Sequence, residues 1–217
     1  IAAVFVIAFG LCYMVLQVLQ QDEINMQTVY VPVGQRTQVT LADGTTVWVN
    51  GRSTLVFPSQ FTSQTRNVQL DGEAYFEVRK DPKKQFIVST AHQSCIKVLG
   101  TKFNVKARKE TEDVVTTLIE GKINFEFNNA DRQLQYITMI PGQKLVYHSQ
   151  NGKTELYTTS GEKEYLWKDG KIIFKQTSLR EALDILADRY DVEFVIRKDA
   201  PHGDCLLYTS PSPRDRG

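Results

Sequence analysis

The sequence predicts a mainly β protein: an N-terminal transmembrane helix, an all-β domain of solenoid or sandwich type, and a small α+β unit of βαβ order. Three observations carry that expectation. An uncharged apolar run fills residues 1–19, period-two alternation with glycine-containing turns fills 31–160, and a strand–helix–strand pattern fills 167–199.

The apolar run reads IAAVFVIAFGLCYMVLQVL and contains one distinctly polar residue, Gln17. At about 1.5 Å of rise per residue, a helix of this length matches the ~30 Å hydrocarbon core of a bilayer. A signal-peptide core is shorter and ends at a small-residue cleavage site, and a buried helix of a soluble protein carries a polar stripe; neither feature is present. The run stops at Gln20, Gln21, Asp22 and Glu23, and residues 20–30 read as a linker. The chain starts inside the apolar run with Ile, so the segment that would carry the positive charges setting orientation is expected upstream.

From residue 31 the period changes. Val39 and Leu41 alternate with polar neighbours up to Asp43-Gly44, and Val47 and Val49 alternate beyond it. Two alternating runs around Asp-Gly signal a hairpin, because glycine adopts the positive φ of tight turns. The same arrangement recurs at Asp71-Gly72, between Val68, Leu70 and Ala74, Phe76, Val78, and at Glu120-Gly121, between Leu118, Ile119 and Ile123, Phe125, Phe127. Gly44, Gly72 and Gly121 are therefore expected to serve turn geometry. Many short strands with regular turns imply a compact all-β domain; sandwich, open barrel and short solenoid all fit.

TTSGEK, 158–163, reads as a polar connection. WKDGKIIF then offers a turn and a strand with Ile172 and Phe174 on one face. Ser178 and Glu181 have capping-box spacing, and Leu179, Ala182, Leu183, Leu186, Ala187 and Tyr190 form one apolar helical face. Val192, Phe194 and Ile196 alternate as a second strand. Residues 200–217, APHGDCLLYTSPSPRDRG, lose all periodicity and read as a disordered or non-native tail.

Composition narrows the function. With 26 basic and 25 acidic residues the net charge is +1, which gives no argument for nucleic acid as a partner. Cys12, Cys95 and Cys205 form neither a CxxC nor a Cys/His cluster, and His92, His148 and His202 lack metal-ligand spacing, so no metal and no cofactor are expected. No nucleophile elbow, P-loop or dinucleotide fingerprint occurs, and Glu73 and Glu77 beside Tyr75 and Phe76 read as a solvated strand face. An enzyme is not expected. Trp48 and Trp167 could anchor a sugar or a partner, although single aromatics among strands more often serve core or hinge packing.

The segments VPVGQRTQVTLADGTTVWVNGRSTLVFP, RNVQLDGEAYFEVRKD, FIVST, IKVLGTKFNVKA and TLIEGKINFEF resemble the FecR family in order and spacing. LWKDGKIIFKQTSLREALDILADRYDVEFVI resembles the small domain that follows it in many members, itself similar to the secretin and TonB short N-terminal domain. The resemblance implies a single-pass inner-membrane anti-sigma factor of a Gram-negative bacterium, with its C-terminal part periplasmic. It implies two partners: the signalling domain of an outer-membrane TonB-dependent transporter, and an extracytoplasmic-function sigma factor bound by a cytoplasmic region upstream of Ile1. It also implies further strands beyond those of the βαβ unit.

Partner contact would then use strand edges, with Ile172 and Phe174, or Val192 and Phe194, on the partner-facing strand; the simpler reading of these four side chains is core against the helix, the edge contributing only its backbone. Gly100-Thr101 resembles an element at which some family members cleave themselves, the Thr hydroxyl attacking the preceding carbonyl; a glycine bulge between strands is the simpler reading. Two other classes compete: a membrane-tethered periplasmic module binding glycan or cell-wall polymer, which needs clustered exposed aromatics, and a tethered hydrolase, which needs converging titratable groups.

Overall fold

The computed structural model describes residues 25–190, together with Gly10, Val192, Phe194 and the backbone of residues 206–210. The apolar run and residues 20–24, Gly10 apart, lie outside the described residues; among those described, no helix is long and apolar enough to cross a membrane.

Thirteen strands form one sheet. They are β1 (Met26–Val31), β2 (Thr37–Thr40), β3 (Thr46–Val49), β4 (Ser53–Pro58), β5 (Arg66–Glu77), β6 (Phe86–Thr90), β7 (Cys95–Val98), β8 (Lys102–Ala107), β9 (Asp113–Glu120), β10 (Ile123–Asn128), β11 (Leu134–Met139), β12 (Gln143–His148) and β13 (Lys153–Thr158). β1 begins inside the stretch read as a linker, where it pairs with β4.

The sheet curls because β5 serves two halves. Its first half pairs with β4 and, in parallel, with β6; its second half pairs with β3 and β8. One half-sheet runs β1-β4-β5-β6-β7-β10-β11, and the other runs β2-β3-β5-β8-β9-β12-β13. Their inner faces share one apolar core. Phe76 stacks on Phe103 at 5.0 Å, and Phe125 and Phe127 of one half meet Tyr147 of the other at 5.9 and 5.1 Å. The expected all-β architecture is thus a curled, sandwich-like sheet.

The hairpin expected at Asp71-Gly72 does not form; β5 continues through it as one strand. Val68, Leu70, Ala74 and Phe76 are all buried at even positions, and a two-residue turn would have reversed that parity. Gly72, at φ +122°, marks the crossing from one half to the other: Asp71 is the last residue paired with β4, and Gly72 the first paired with β8. A Cβ on Gly72 would lie 2.2 Å from Ser53 Oγ. That hydroxyl is buried and accepts a hydrogen bond from Glu73 N at 2.8 Å, satisfying a donor at the bend. Nor do β9 and β10 form a hairpin at Gly121. Both neighbours of β9 are already taken, by β8 and β12, so the chain crosses at Gly121 (φ +94°) to pair with β7.

The Asp43-Gly44 hairpin forms as expected, with Gly44 at φ +83°. Its Asp43 carboxylate accepts from Thr45 N and Oγ1 and meets the buried Arg66 guanidinium at 2.7 Å. Arg66 also donates to the carbonyls of Arg79 and Lys84, and its guanidinium carbon lies 5.4 Å from the Phe86 ring centre.

After β13 come a short helix α1 (Glu162–Tyr165), a 3-10 turn (Leu166–Asp169), β14 (Ile172–Thr177) and helix α2 (Leu179–Tyr190). β14 pairs antiparallel with β15 (Leu206–Ser210), so part of the segment read as a tail forms a strand. Val192 and Phe194, expected in a strand, lie outside regular structure, 46% and 43% exposed. The remainder of that expected strand, and the side chain of Glu181 in the capping box, lie outside the described residues.

Three substitutions at two positions test this account. Gly72→Val should destabilise the protein by at least about 3 kcal/mol, since strain at positive φ adds to overpacking against Ser53; urea unfolding measures it. Asp43→Ala should cost about 3–5 kcal/mol by leaving the buried Arg66 charge uncompensated. Asp43→Asn, which keeps the acceptor for Thr45, should cost less in the same assay.

Candidate functional site

The outer face of the second half-sheet carries one transverse row of residues in register. Trp48 opposes Tyr75, Tyr75 opposes Asn104, Asn104 opposes Thr117, and Thr117 opposes Lys144. Outward-facing positions on an antiparallel sheet are normally solvated, yet Tyr75, Asn104 and Thr117 are buried. The segment from α1 to the 3-10 turn covers them.

Trp167 is the centre of that cover. It is buried, and its indole N–H donates to Asn104 Oδ1 at 3.2 Å. Asn104 donates in turn to Glu73 Oε1, and Asn50 donates to Glu73 Oε2. Both oxygens of a carboxylate on a strand face are therefore engaged, and the polar end of the tryptophan is satisfied.

On either side, charge and aromatic contacts extend the contact. Lys168 Nζ lies 5.0 Å from the Trp48 ring centre and 5.6 Å from that of Tyr75, within cation–π range. Tyr165 and Trp48 flank Tyr75 at 6.1 and 5.7 Å. Burial, and then the nearby Glu77, push the Tyr75 phenol above its usual pKa. Lys144 meets Glu164 of α1 at 3.0 Å. Arg36 donates to the Trp167 carbonyl and Arg189 to the Gly170 carbonyl, each at 3.3 Å, so the end of the 3-10 turn is clasped from the β domain and from α2.

This joint unites Trp48 and Trp167, which the sequence left as separate aromatics, through Lys168 and Tyr75. Asn104 and Glu73 were not singled out as partners of Trp167. One signal was available: in KFNVKA an amide lies between Phe103 and Val105, and a buried amide needs partners.

The Gly100-Thr101 element lies elsewhere, just before β8. Gly100 has φ +155°, and a Cβ there would come within 2.7 Å of Lys80 Cα. Thr101 is buried; its hydroxyl donates to the Lys122 carbonyl at 3.1 Å, and its own carbonyl accepts from Val78 N at 3.0 Å. A cavity of about 250 Å³ adjoins the element, lined in part by Gly100, Thr101, Gly121 and Lys122. Close packing is thus sufficient reason for glycine at this position.

Ile172 and Phe174 lie on β14, partly buried, and Ile172 lines the cleft between β14 and the sheet. Val192 and Phe194 follow α2 and are not paired with that strand. Among the described residues no group of His, Cys, Asp and Glu could hold a metal ion. Cys95 is a free thiol.

The chain is thus a curled β domain onto which a C-terminal segment is docked. The FecR protein family model matches residues 27–124. Two crystal structures of candidate anti-sigma factors from Parabacteroides distasonis are similar over nearly the whole length. One is 30% identical with a TM-score of 0.73, covering 85% of this chain and 84% of that one. The other is 29% identical with a TM-score of 0.74, covering 87% of each. No curated protein matches the chain. The chain belongs to the FecR family, a class of signal-transduction regulators that includes anti-sigma factors.

Trp167→Ala should free the docked segment. Removing a buried tryptophan costs about 3–5 kcal/mol, and here that loss falls on the joint. Limited proteolysis should then cut within residues 159–171 faster than in the wild type, while β1–β13 stay resistant.

Proposed function

We propose that this chain is part of a single-pass inner-membrane anti-sigma factor that relays the status of an outer-membrane TonB-dependent transporter to a cytoplasmic extracytoplasmic-function sigma factor. The docked joint is the observation that carries the proposal. A relay needs two states that a partner binds with different affinity. The joint would supply a contact able to open: one tryptophan, one lysine over two aromatic rings, one ion pair and a few polar bonds hold the C-terminal segment on the sheet, and that segment leads directly into β14 and α2. A transporter domain that binds the βα unit better undocked would shift the balance. Membership in the FecR family supports the membrane location, the periplasmic placement and the sigma-factor partner. The chain's role is recognition rather than catalysis on a substrate.

The same reading includes self-cleavage at Gly100-Thr101. Thr101 Oγ attacks the Gly100 carbonyl carbon, the C–N bond breaks as the hydroxyl proton passes to the Thr101 nitrogen, and water hydrolyses the resulting ester. The products are a Gly100 carboxylate and a free Thr101 amine. The positive φ of Gly100 and the presence of a hydroxyl on the next residue support it. Intact-mass spectrometry should find fragments ending at Gly100 and starting at Thr101, lost in Thr101→Ala. An uncleaved chain would leave Gly100 a packing glycine alone.

The competing glycan-binding reading is weaker, because Trp48 and Trp167 are spent on the joint. The relay is tested in cells carrying the full gene and a reporter driven by the cognate sigma factor. Trp167→Ala should change reporter output without inducer by at least about tenfold, since the loss at the joint exceeds the ~1.4 kcal/mol that a tenfold shift needs. Wild-type output from that variant, with the segment shown to be undocked, would refute the relay.

A further inference from the structure

A cleft of about 320 Å³ lies between the second half-sheet and the β14–α2 unit, beside the Trp167 joint. Its lining includes five basic side chains against two acidic ones, Glu73 and Glu164. Both acids are already engaged: Glu73 accepts from Asn50 and Asn104, and Glu164 pairs with Lys144. Lys106 of β8 lines one wall and Lys171, the residue just before β14, lines the other, and neither has an ion-pair partner among the described residues. Arg189 adds a third charge. Burial, and then the neighbouring Arg36, pull its pKa below the usual value. Beside the amides of Asn50 and Asn104 the lining has apolar side chains on both walls, with Val115 on the sheet side and Ile172, Ile173 and Ile185 on the other. Concave sites with apolar walls and a few convergent polar groups are where small ligands bind, and this volume is at the small end of that range.

We propose that this cleft binds a small organic carboxylate with an apolar body. The carboxylate pairs with Lys106 and Lys171, and the apolar body lies against Val115, Ile173 and Ile185. Because the walls belong to both parts of the molecule, the ligand binds only the docked state and stabilises it. This adds a small-molecule input to the joint, and it stands whether or not a transporter is the upstream signal.

The test uses 4-phenylbutyrate as the probe and 4-phenylbutanol as its uncharged counterpart, titrated into the whole chain by calorimetry. Expected are saturable binding of the carboxylate at millimolar concentration or below, weakening with added salt, and at least about tenfold weaker binding of the alcohol. The exposed pair Lys106→Gln with Lys171→Gln should weaken carboxylate binding by at least about tenfold without changing Tm. Lys106→Arg with Lys171→Arg should retain binding. Absence of saturable binding to the wild type, equal affinity for the alcohol, or undiminished binding to the glutamine variant would each overturn the proposal. Should the glutamine variant fail to fold, the alcohol comparison and the salt dependence on wild type decide the matter. Failure of this test leaves the sigma-factor reporter unaffected, so the two readings fail separately.

Discussion

The contact between Gly72 and Ser53 is the constraint on which the rest of the sheet depends. β5 reaches both half-sheets only because its backbone turns at one residue that presents no side chain to the buried hydroxyl of Ser53. That hydroxyl receives the amide of Glu73 just beyond the turn. Four other strands, β3, β4, β6 and β8, pair with β5. The crossing therefore determines how the two inner faces meet and where the core residues Phe76 and Phe103 stack.

It also determines where the joint lies. The second half of β5 contributes Glu73 and Tyr75 to the outer face of the second half-sheet, next to Asn104 of β8. Inward, the same half-strand buries Ala74 and Phe76. One six-residue stretch thus supplies the core on one side and the docking surface on the other. The docking surface is polar and aromatic rather than aliphatic, as suits a contact that can exchange its partner for water.

Much of this was legible in the sequence, and the misses have physical causes. Alternation at Val39–Leu41 and Val47–Val49 located a real hairpin, because its Asp43-Gly44 corner is closed by contacts within the loop and by Arg66. The identical dipeptide at 71–72 marks a crossing, because pairing partners on both sides of β5 arrive from strands distant in sequence. The unbroken parity of Val68, Leu70, Ala74 and Phe76 carried that information, whereas the turn motif did not. Local pattern also could not say that β9 had no free edge for β10, since β12 occupies it. Trp167 was legible as an anchor but its partner Asn104 was not, as the two are brought together only by the docking of the segment after β13.

The order in which the chain visits the two half-sheets has a separate consequence. β7 belongs to the first, β8 and β9 to the second, β10 and β11 to the first again, and β12 and β13 to the second. β5 is joined to β8, and β7 to β10, by hydrogen bonds across the Gly100-Thr101 position. The fold is thus braided at that point: severing this peptide bond opens the covalent chain without separating its pieces. Two polypeptides held only by backbone pairing and a shared core would behave as one body at rest. They would come apart only under a pull that unravels those strands, so the braid would turn a chemical cut into a mechanical weak point.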